Sequence, residues 1–141
     1  MRQVRKSIIF FLLLGLSTLF FSCDGGNGGT TGPTTTYNVT GTWTGTVSGG
    51  DIPSGSTITL NLTQSGNVVT GTVQMTAPGW GTETDNITSG SFSDRTLQIS
   101  ITPTGATSPV NMTGTISDDG NTISGTWTQR TATGTLEVRR V

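Results

Sequence analysis

One short pattern recurs from residue 38 almost to the end of the chain: a glycine between Thr or Ser residues, with an apolar residue outside each of them. At 38–47 it reads NVTGTWTGTV, so that Val39, Trp43 and Val47 fall on one face of an extended chain and the threonines on the other. This period of two is typical of a half-buried β-strand. The pattern returns at 69–73, 112–116, 123–127 and 132–136. It therefore predicts an all-β protein.

Alternation and turn residues together predict eight strands. They lie at 38–48, 56–64, 67–75, 86–93, 95–102, 109–117, 121–129 and 133–140. The fourth strand is the most irregular, because Ile87 and Phe92 cannot share a face without a β-bulge between them. Beyond residue 36 no stretch has the period of an amphipathic helix.

Eight short strands joined in sequence fit an antiparallel up-and-down β-barrel, whose closure removes the exposed edges of a Thr-rich sheet. A two-sheet β-sandwich is the alternative. Glycines on the apolar face favour the barrel, because a tightly coiled sheet of small radius needs positions without a side chain. These glycines are at positions 41, 45, 71, 90, 114, 125 and 134. We therefore predict an eight-stranded barrel at 37–141.

The first residues of the chain have a different composition. A basic start at 1–6 is followed by an apolar run at 7–21 and then by Ser22-Cys23, an order typical of a secretory signal. The junction resembles that of bacterial lipoprotein signal peptides, in which a small residue precedes a cysteine that is lipidated and becomes the mature N-terminus. The resemblance implies a signal peptide at 1–22 and a lipid-anchored Cys23 in the inner or outer membrane of the bacterial cell envelope. The alternative is an ordinary cleaved signal with an incidental cysteine.

The segment 23–36 is predicted to be a flexible tether. After Cys23 it consists of Asp, Gly, Asn, Thr and Pro and contains no large apolar residue. Chains of this composition behave as flexible spacers. The expected organisation is therefore a signal peptide, a tether and a barrel domain.

Tryptophan and arginine positions carry a second resemblance. Gly41-Thr42-Trp43 lies on the first predicted strand and Arg139-Arg140 on the last. This arrangement resembles the calycin group of barrels, which includes the lipocalins and avidins, where a Gly-x-Trp on the opening strand packs near an arginine from the closing strand. The resemblance implies a structural pair of Trp43 and Arg140, and it implies no particular ligand. The alternative is that Trp43 and Trp127 only fill the core.

Composition excludes several classes of function. The chain has no histidine and one cysteine, so the commonest metal ligand and general base is missing and an intrachain disulfide cannot form. The segment after Cys23 contains four arginines and eight acidic residues, so the sequence shows no basic patch that could bind nucleic acid. The acidic stretch 118–121 lacks the spaced ligands of a calcium loop and is predicted to be a hairpin turn. We expect no metal, no cofactor and no nucleic-acid partner.

Three functions remain to be compared. The first is a non-catalytic binding or interaction module for a protein or a glycan at the cell envelope. The second is a calycin-like carrier of a small hydrophobic ligand inside the barrel. The third is an enzyme, which we do not expect, because the acidic candidates Asp51, Glu83 and Asp85 are predicted to be scattered on loops. The predicted inward residues are almost wholly aliphatic, Met, Trp or Gly. This composition favours a barrel whose interior is filled by side chains over a carrier. An interior cavity of several hundred Å³ would instead favour the carrier.

A binding rim is predicted at one end of the barrel. In an up-and-down barrel the first, third, fifth and seventh connections share an end, and three of these are predicted to be long, at 49–55, 76–85 and 103–108. Long loops on a rigid scaffold are where binding residues usually lie. The rim residues are Asp51, Trp80, Glu83 and Asp85. The alternative for Trp80 is that it only covers the mouth of the barrel.

Cys23 gives the first testable prediction. Mass spectrometry of protein purified from membranes should show an acylated Cys23 as the N-terminal residue, because the basic start, apolar run and Ser22-Cys23 junction resemble a lipoprotein signal. Replacement of the thiol by a hydroxyl, Cys23→Ser, should release the protein from the membrane, since acyl chains supply the anchor. Cleavage at another bond would contradict this prediction.

Overall fold

The computed structural model describes residues 35–141, and the predicted signal peptide, Cys23 and most of the predicted tether lie outside these described residues. Eight strands follow one another: β1 (Gly41–Gly49), β2 (Thr57–Ser65), β3 (Val68–Ala77), β4 (Gly81–Ser93), β5 (Thr96–Ile101), β6 (Val110–Ile116), β7 (Thr122–Gln129) and β8 (Ala132–Arg140). Each strand pairs with the next, and β8 pairs with β1, in a closed antiparallel barrel. The predicted fold class is confirmed, and the sandwich alternative is wrong. Within the described residues no helix is long and apolar enough to cross a membrane.

The alternation seen in the sequence is also the alternation of burial. Trp43 is fully buried and Trp127 is 5% exposed, as their positions among the apolar residues predict. On the outer face, threonines and amides form cross-strand hydrogen bonds, such as Thr42 to Asn61 at 2.9 Å and Gln74 to Thr84 at 3.1 Å. The strands thus enclose an apolar interior within a hydroxyl-rich exterior.

Glycines allow the strands to approach closely enough for the barrel to close. A Cβ at Gly45 would overlap the backbone carbonyl oxygen of Glu137 on β8, and a Cβ at Gly71 would overlap that of Asn61 on β2. Gly71 also has a φ of 140°, a conformation that residues with a side chain rarely adopt. These contacts give the physical reason for the glycines on the apolar face.

β4 is five residues longer at its start than the predicted strand 86–93. β3 continues to Ala77, and the chain then turns through Pro78 and Gly79, with the Trp80 amide donating to the Ala77 carbonyl at 3.0 Å. Proline followed by glycine suits the two central positions of a type II turn. The predicted long loop at 76–85 is therefore wrong, and the connection is a tight turn. The predicted bulge is present, with a register shift between Ile87 and Ser89 against β5.

The two ends of the barrel differ. The open end is formed by the connections β1–β2 (50–56), β3–β4 (78–80), β5–β6 (102–109) and β7–β8 (130–131). The closed end holds the other three connections and residues 35–40, which precede β1. There Val39 is fully buried, and its carbonyl accepts a 2.8 Å hydrogen bond from Trp43 Nε1.

Arg140 completes the closed end from the last strand. Its guanidinium carbon lies 4.2 Å from the centroid of the Trp43 ring. The same guanidinium donates to the carbonyls of Thr40 at 2.7 Å and Asn38 at 2.6 Å. One side chain therefore links β8, the Trp43 ring and the segment before β1.

The buried Trp43 and the exposed Trp80 are predicted to contribute differently to stability. Trp43→Ala should lower the free energy of unfolding by about 3 to 5 kcal/mol, because it leaves a large cavity in the closed end. Trp80→Ala is the control, since its side chain is 57% exposed and such substitutions usually change stability by less than about 0.5 kcal/mol. Equilibrium denaturation of the purified variants measures both. Similar losses for the two would contradict the structure.

Candidate functional site

A cavity of about 360 Å³ occupies the interior of the barrel at the open end. Its apolar wall comes from inward-facing side chains of seven strands: Val47, Ile58, Val73, Met75, Ile101, Val110, Met112, Trp127 and Ala132. Ile52, Pro103 and Ala106 add apolar surface from the connections at the open end. We call this space the open-end cavity. The expectation of a filled interior is correct at the closed end and wrong here.

The structure brings the four predicted rim residues together around this cavity. Asp51 lies on the β1–β2 connection, Trp80 on the β3–β4 turn, and Glu83 and Asp85 on β4. The expectation that Glu83 and Asp85 lie in a loop is wrong. Trp43, Arg140 and the closed-end contacts do not take part, because they lie at the opposite end of the barrel.

Glu83 and Asp85 occupy positions of the strand that face the interior. Glu83 is directly opposite Met75, and Asp85 is directly opposite Val73, in the pairing of β3 with β4. Residues directly opposite each other in an antiparallel pair point to the same face, and Val73 is buried in the core. Two carboxylates on β4 therefore face a cavity whose lining is mainly apolar, with Asp51 and Gln129 as its other polar side chains.

No arginine among residues 35–141 forms a salt bridge with these carboxylates. Arg95 pairs with Asp118 at 2.6 Å and Arg139 with Glu137 at 3.4 Å, the two salt bridges of the described part of the chain. Arg130, on the β7–β8 turn, donates to the hydroxyls of Ser108 and Thr107. The open end thus has three acidic side chains and one arginine, so its net charge is negative, and its acids form no salt bridge within the described residues.

Hydrogen bonds hold the walls of the cavity in place. Trp127 Nε1 donates to the Ser48 carbonyl at 2.9 Å, which fixes the indole ring against β1. The side-chain amide of Gln129 donates to the Ser108 carbonyl at 3.1 Å, which ties the β5–β6 connection to β7. The cavity is thus shaped by anchored elements before any ligand enters.

Trp80 does not seal the mouth of the barrel. Its side chain lines the open-end cavity but remains 57% exposed at the tip of the β3–β4 turn. Ile52 comes closer to covering the mouth, since it is partly buried and packs against the core. The arrangement leaves the cavity accessible from solvent, with one aromatic side chain beside its entrance.

The acidic stretch at the closed end is a turn, as predicted. The Asp119 carboxylate accepts hydrogen bonds from the Ser117 hydroxyl and the Asn121 backbone amide. These hydrogen bonds lower the pKa of Asp119, and the one from Ser117 has the largest effect. Each bond favours the ionised carboxylate.

Residues 35–141 contain no group of three or more His, Cys, Asp or Glu placed to hold a metal ion.

Sequence reasoning missed Ile52, Ala106 and Ala132 as cavity residues. Ile52 and Ala106 lie on irregular connections, where no periodic pattern indicates which side chains turn inward. Ala132 could have been found, because it belongs to the repeated pattern at 132–136. A small residue at an inward position near the mouth is the signal for unfilled space.

No protein family matches the sequence, and no curated protein matches it. Among solved structures, the crystal structure of a mutant of the fluorescent protein UnaG is similar, at 15% sequence identity and a TM-score of 0.44. The alignment covers 73% of this chain and 96% of that chain. We transfer no property of that protein to this one.

Proposed function

We propose that this protein binds one small, mainly apolar molecule in the open-end cavity, as a non-catalytic carrier held at the cell envelope by a lipidated Cys23. The observation that carries the proposal is the cavity itself, about 360 Å³ of space within an apolar wall. Small-molecule sites usually measure roughly 300 to 1,000 Å³ and combine an apolar lining with a few polar groups. The open-end cavity has both properties, at the small end of that range.

The cavity favours the carrier over the interaction module that the sequence favours. A protein or glycan needs an outer surface, whereas this space opens into the interior of the barrel between Ile58, Met112 and Trp127. An eight-stranded barrel is just wide enough to hold one small ligand when its core is incomplete. The proposed ligand replaces the missing core at the open end.

The interaction module remains a second candidate because of one observation. Trp80 is 57% exposed, and large aromatic side chains at a surface often mark a contact site. Together with Asp51 it would offer a protein or a glycan an aromatic and acidic surface at the mouth of the barrel.

The open-end cavity and the point at which the described chain enters the barrel lie at opposite ends. The described chain reaches β1 through residues 35–40 at the closed end. A tether from Cys23 would therefore join the barrel on the side away from the entrance of the open-end cavity. This arrangement supports a carrier whose entrance is not occupied by its own attachment point.

A bulky side chain inside the cavity tests the proposal. Ala132→Phe should weaken binding of a neutral apolar fluorescent dye at least tenfold, because Ala132 lines the open-end cavity and the phenyl ring would occupy it. Thr133→Phe is the matched control, since the adjacent Thr133 is exposed on the outer face. Dye emission titrated against the purified protein gives both affinities.

Equal affinities for wild type and Ala132→Phe would mean that the dye binds elsewhere and would contradict the carrier. Equal losses in Ala132→Phe and Thr133→Phe would point to a general effect of the added ring. A thermal unfolding curve for each variant checks that the barrel is intact.

A further inference from the structure

We propose that the ligand of the open-end cavity is an amphipathic organic cation, with its apolar body inside the barrel and an ammonium group between Glu83 and Asp85. This inference rests on the proposed function and specifies the class of ligand. Three observations support it: the acidic side chains on the cavity wall, the lack of a salt bridge to these acids among residues 35–141, and the position of Trp80.

The charged side chains of the cavity wall are all acidic. Glu83 and Asp85 take the inward positions of β4, and Asp51 adds a third carboxylate from the β1–β2 connection. The rest of the wall is formed mainly by side chains such as Ile58 and Met112, which carry no charge. A matching molecule has one charged end near the entrance and an apolar remainder.

The sign of the ligand's charge follows from the excess of acidic over basic side chains at the open end. An ionised carboxylate beside an apolar wall loses hydration, and a nearby positive charge offsets this cost. Arg95, Arg139 and Arg140 make their contacts away from the cavity, and the guanidinium of Arg130 is bound to hydroxyls of the β5–β6 connection. An ammonium group on the ligand would supply the positive partner, whereas a carboxylate on the ligand would meet three like charges.

The spacing of the two acids suits a single ammonium group. Residues two apart on a strand are about 7 Å apart along the chain, so a cation between the side chains can contact both carboxylates. An ammonium group has several donors and no acceptor, which matches carboxylates that can only accept. Trp80, 57% exposed at the entrance, offers an aromatic face that also attracts cations.

Three probes with the same chain and different head groups test the inference: octylammonium, octanol and octanoate. Isothermal titration of the purified full-length protein should show octylammonium binding at least tenfold more tightly than octanol, and octanoate binding more weakly than octanol. The preference for octylammonium should decrease as salt is added, because the carboxylates lie at a solvent-accessible mouth.

The double variant Glu83→Gln/Asp85→Asn removes both wall charges with little change in shape. It should bind octylammonium and octanol with affinities within about threefold of each other, and it should bind octanol as the wild type does. Glu137→Gln is the matched control, because Glu137 lies on β8 and its partners Thr46 and Ser124 are on the outer face. This control should keep the full preference for the cation.

The outcomes separate the inference from the proposed function. Octanol binding with no preference for octylammonium would overturn the inference and leave the carrier standing. A cation preference that survives in Glu83→Gln/Asp85→Asn would also overturn it, since attraction by the overall negative charge would then suffice. Failure of all three probes to bind would overturn the carrier together with the inference.

Discussion

The closure of β8 on β1 is the constraint on which the rest of the structure depends. The two strands pair from Trp43 opposite Arg140 to Gly49 opposite Gly134. A Cβ at Gly134 would overlap the Ser48 carbonyl oxygen and the Trp127 indole, so the absent side chain permits both the close strand contact and the packing of Trp127. Because that closure fixes a small radius, the interior has room for side chains at one end and for a small cavity at the other.

The two ends of the barrel carry different kinds of side chain at their inward-facing positions. This difference is the reason for placing the proposed binding site at the open end. At the closed end Val39 enters the core, and Arg140 stacks on Trp43 while bonding to the chain before β1. At the open end the inward positions of β4 hold Glu83 and Asp85. Carboxylates at inward positions are costly in a filled core and acceptable beside a solvent-accessible cavity. Stability is thus concentrated at one end and the proposed binding site at the other.

Sequence reasoning predicted the strands whose inward residues are apolar and failed where they are not. Seven strands follow from alternation and turn residues together, and the burial of Trp43 follows from alternation. The first half of β4 does not show the alternation of a strand, because Glu83 and Asp85 occupy its inward positions, although Pro78-Gly79 marks the turn before it. The cavity could not be predicted, because its volume depends on the barrel radius and on where the connections place residues such as Ile52.

Backbone chemical shifts of the isotopically labelled protein, recorded as octylammonium is added, test the central claim most directly. The claim is that the ligand enters the interior of the barrel from the open end. It predicts that amide signals around the open-end cavity, such as those of Ile58, Met112 and Trp127, will change in a saturable manner while those of Val39 and Trp43 stay constant. Changes confined to the outer threonine face, or to the closed end, would contradict it.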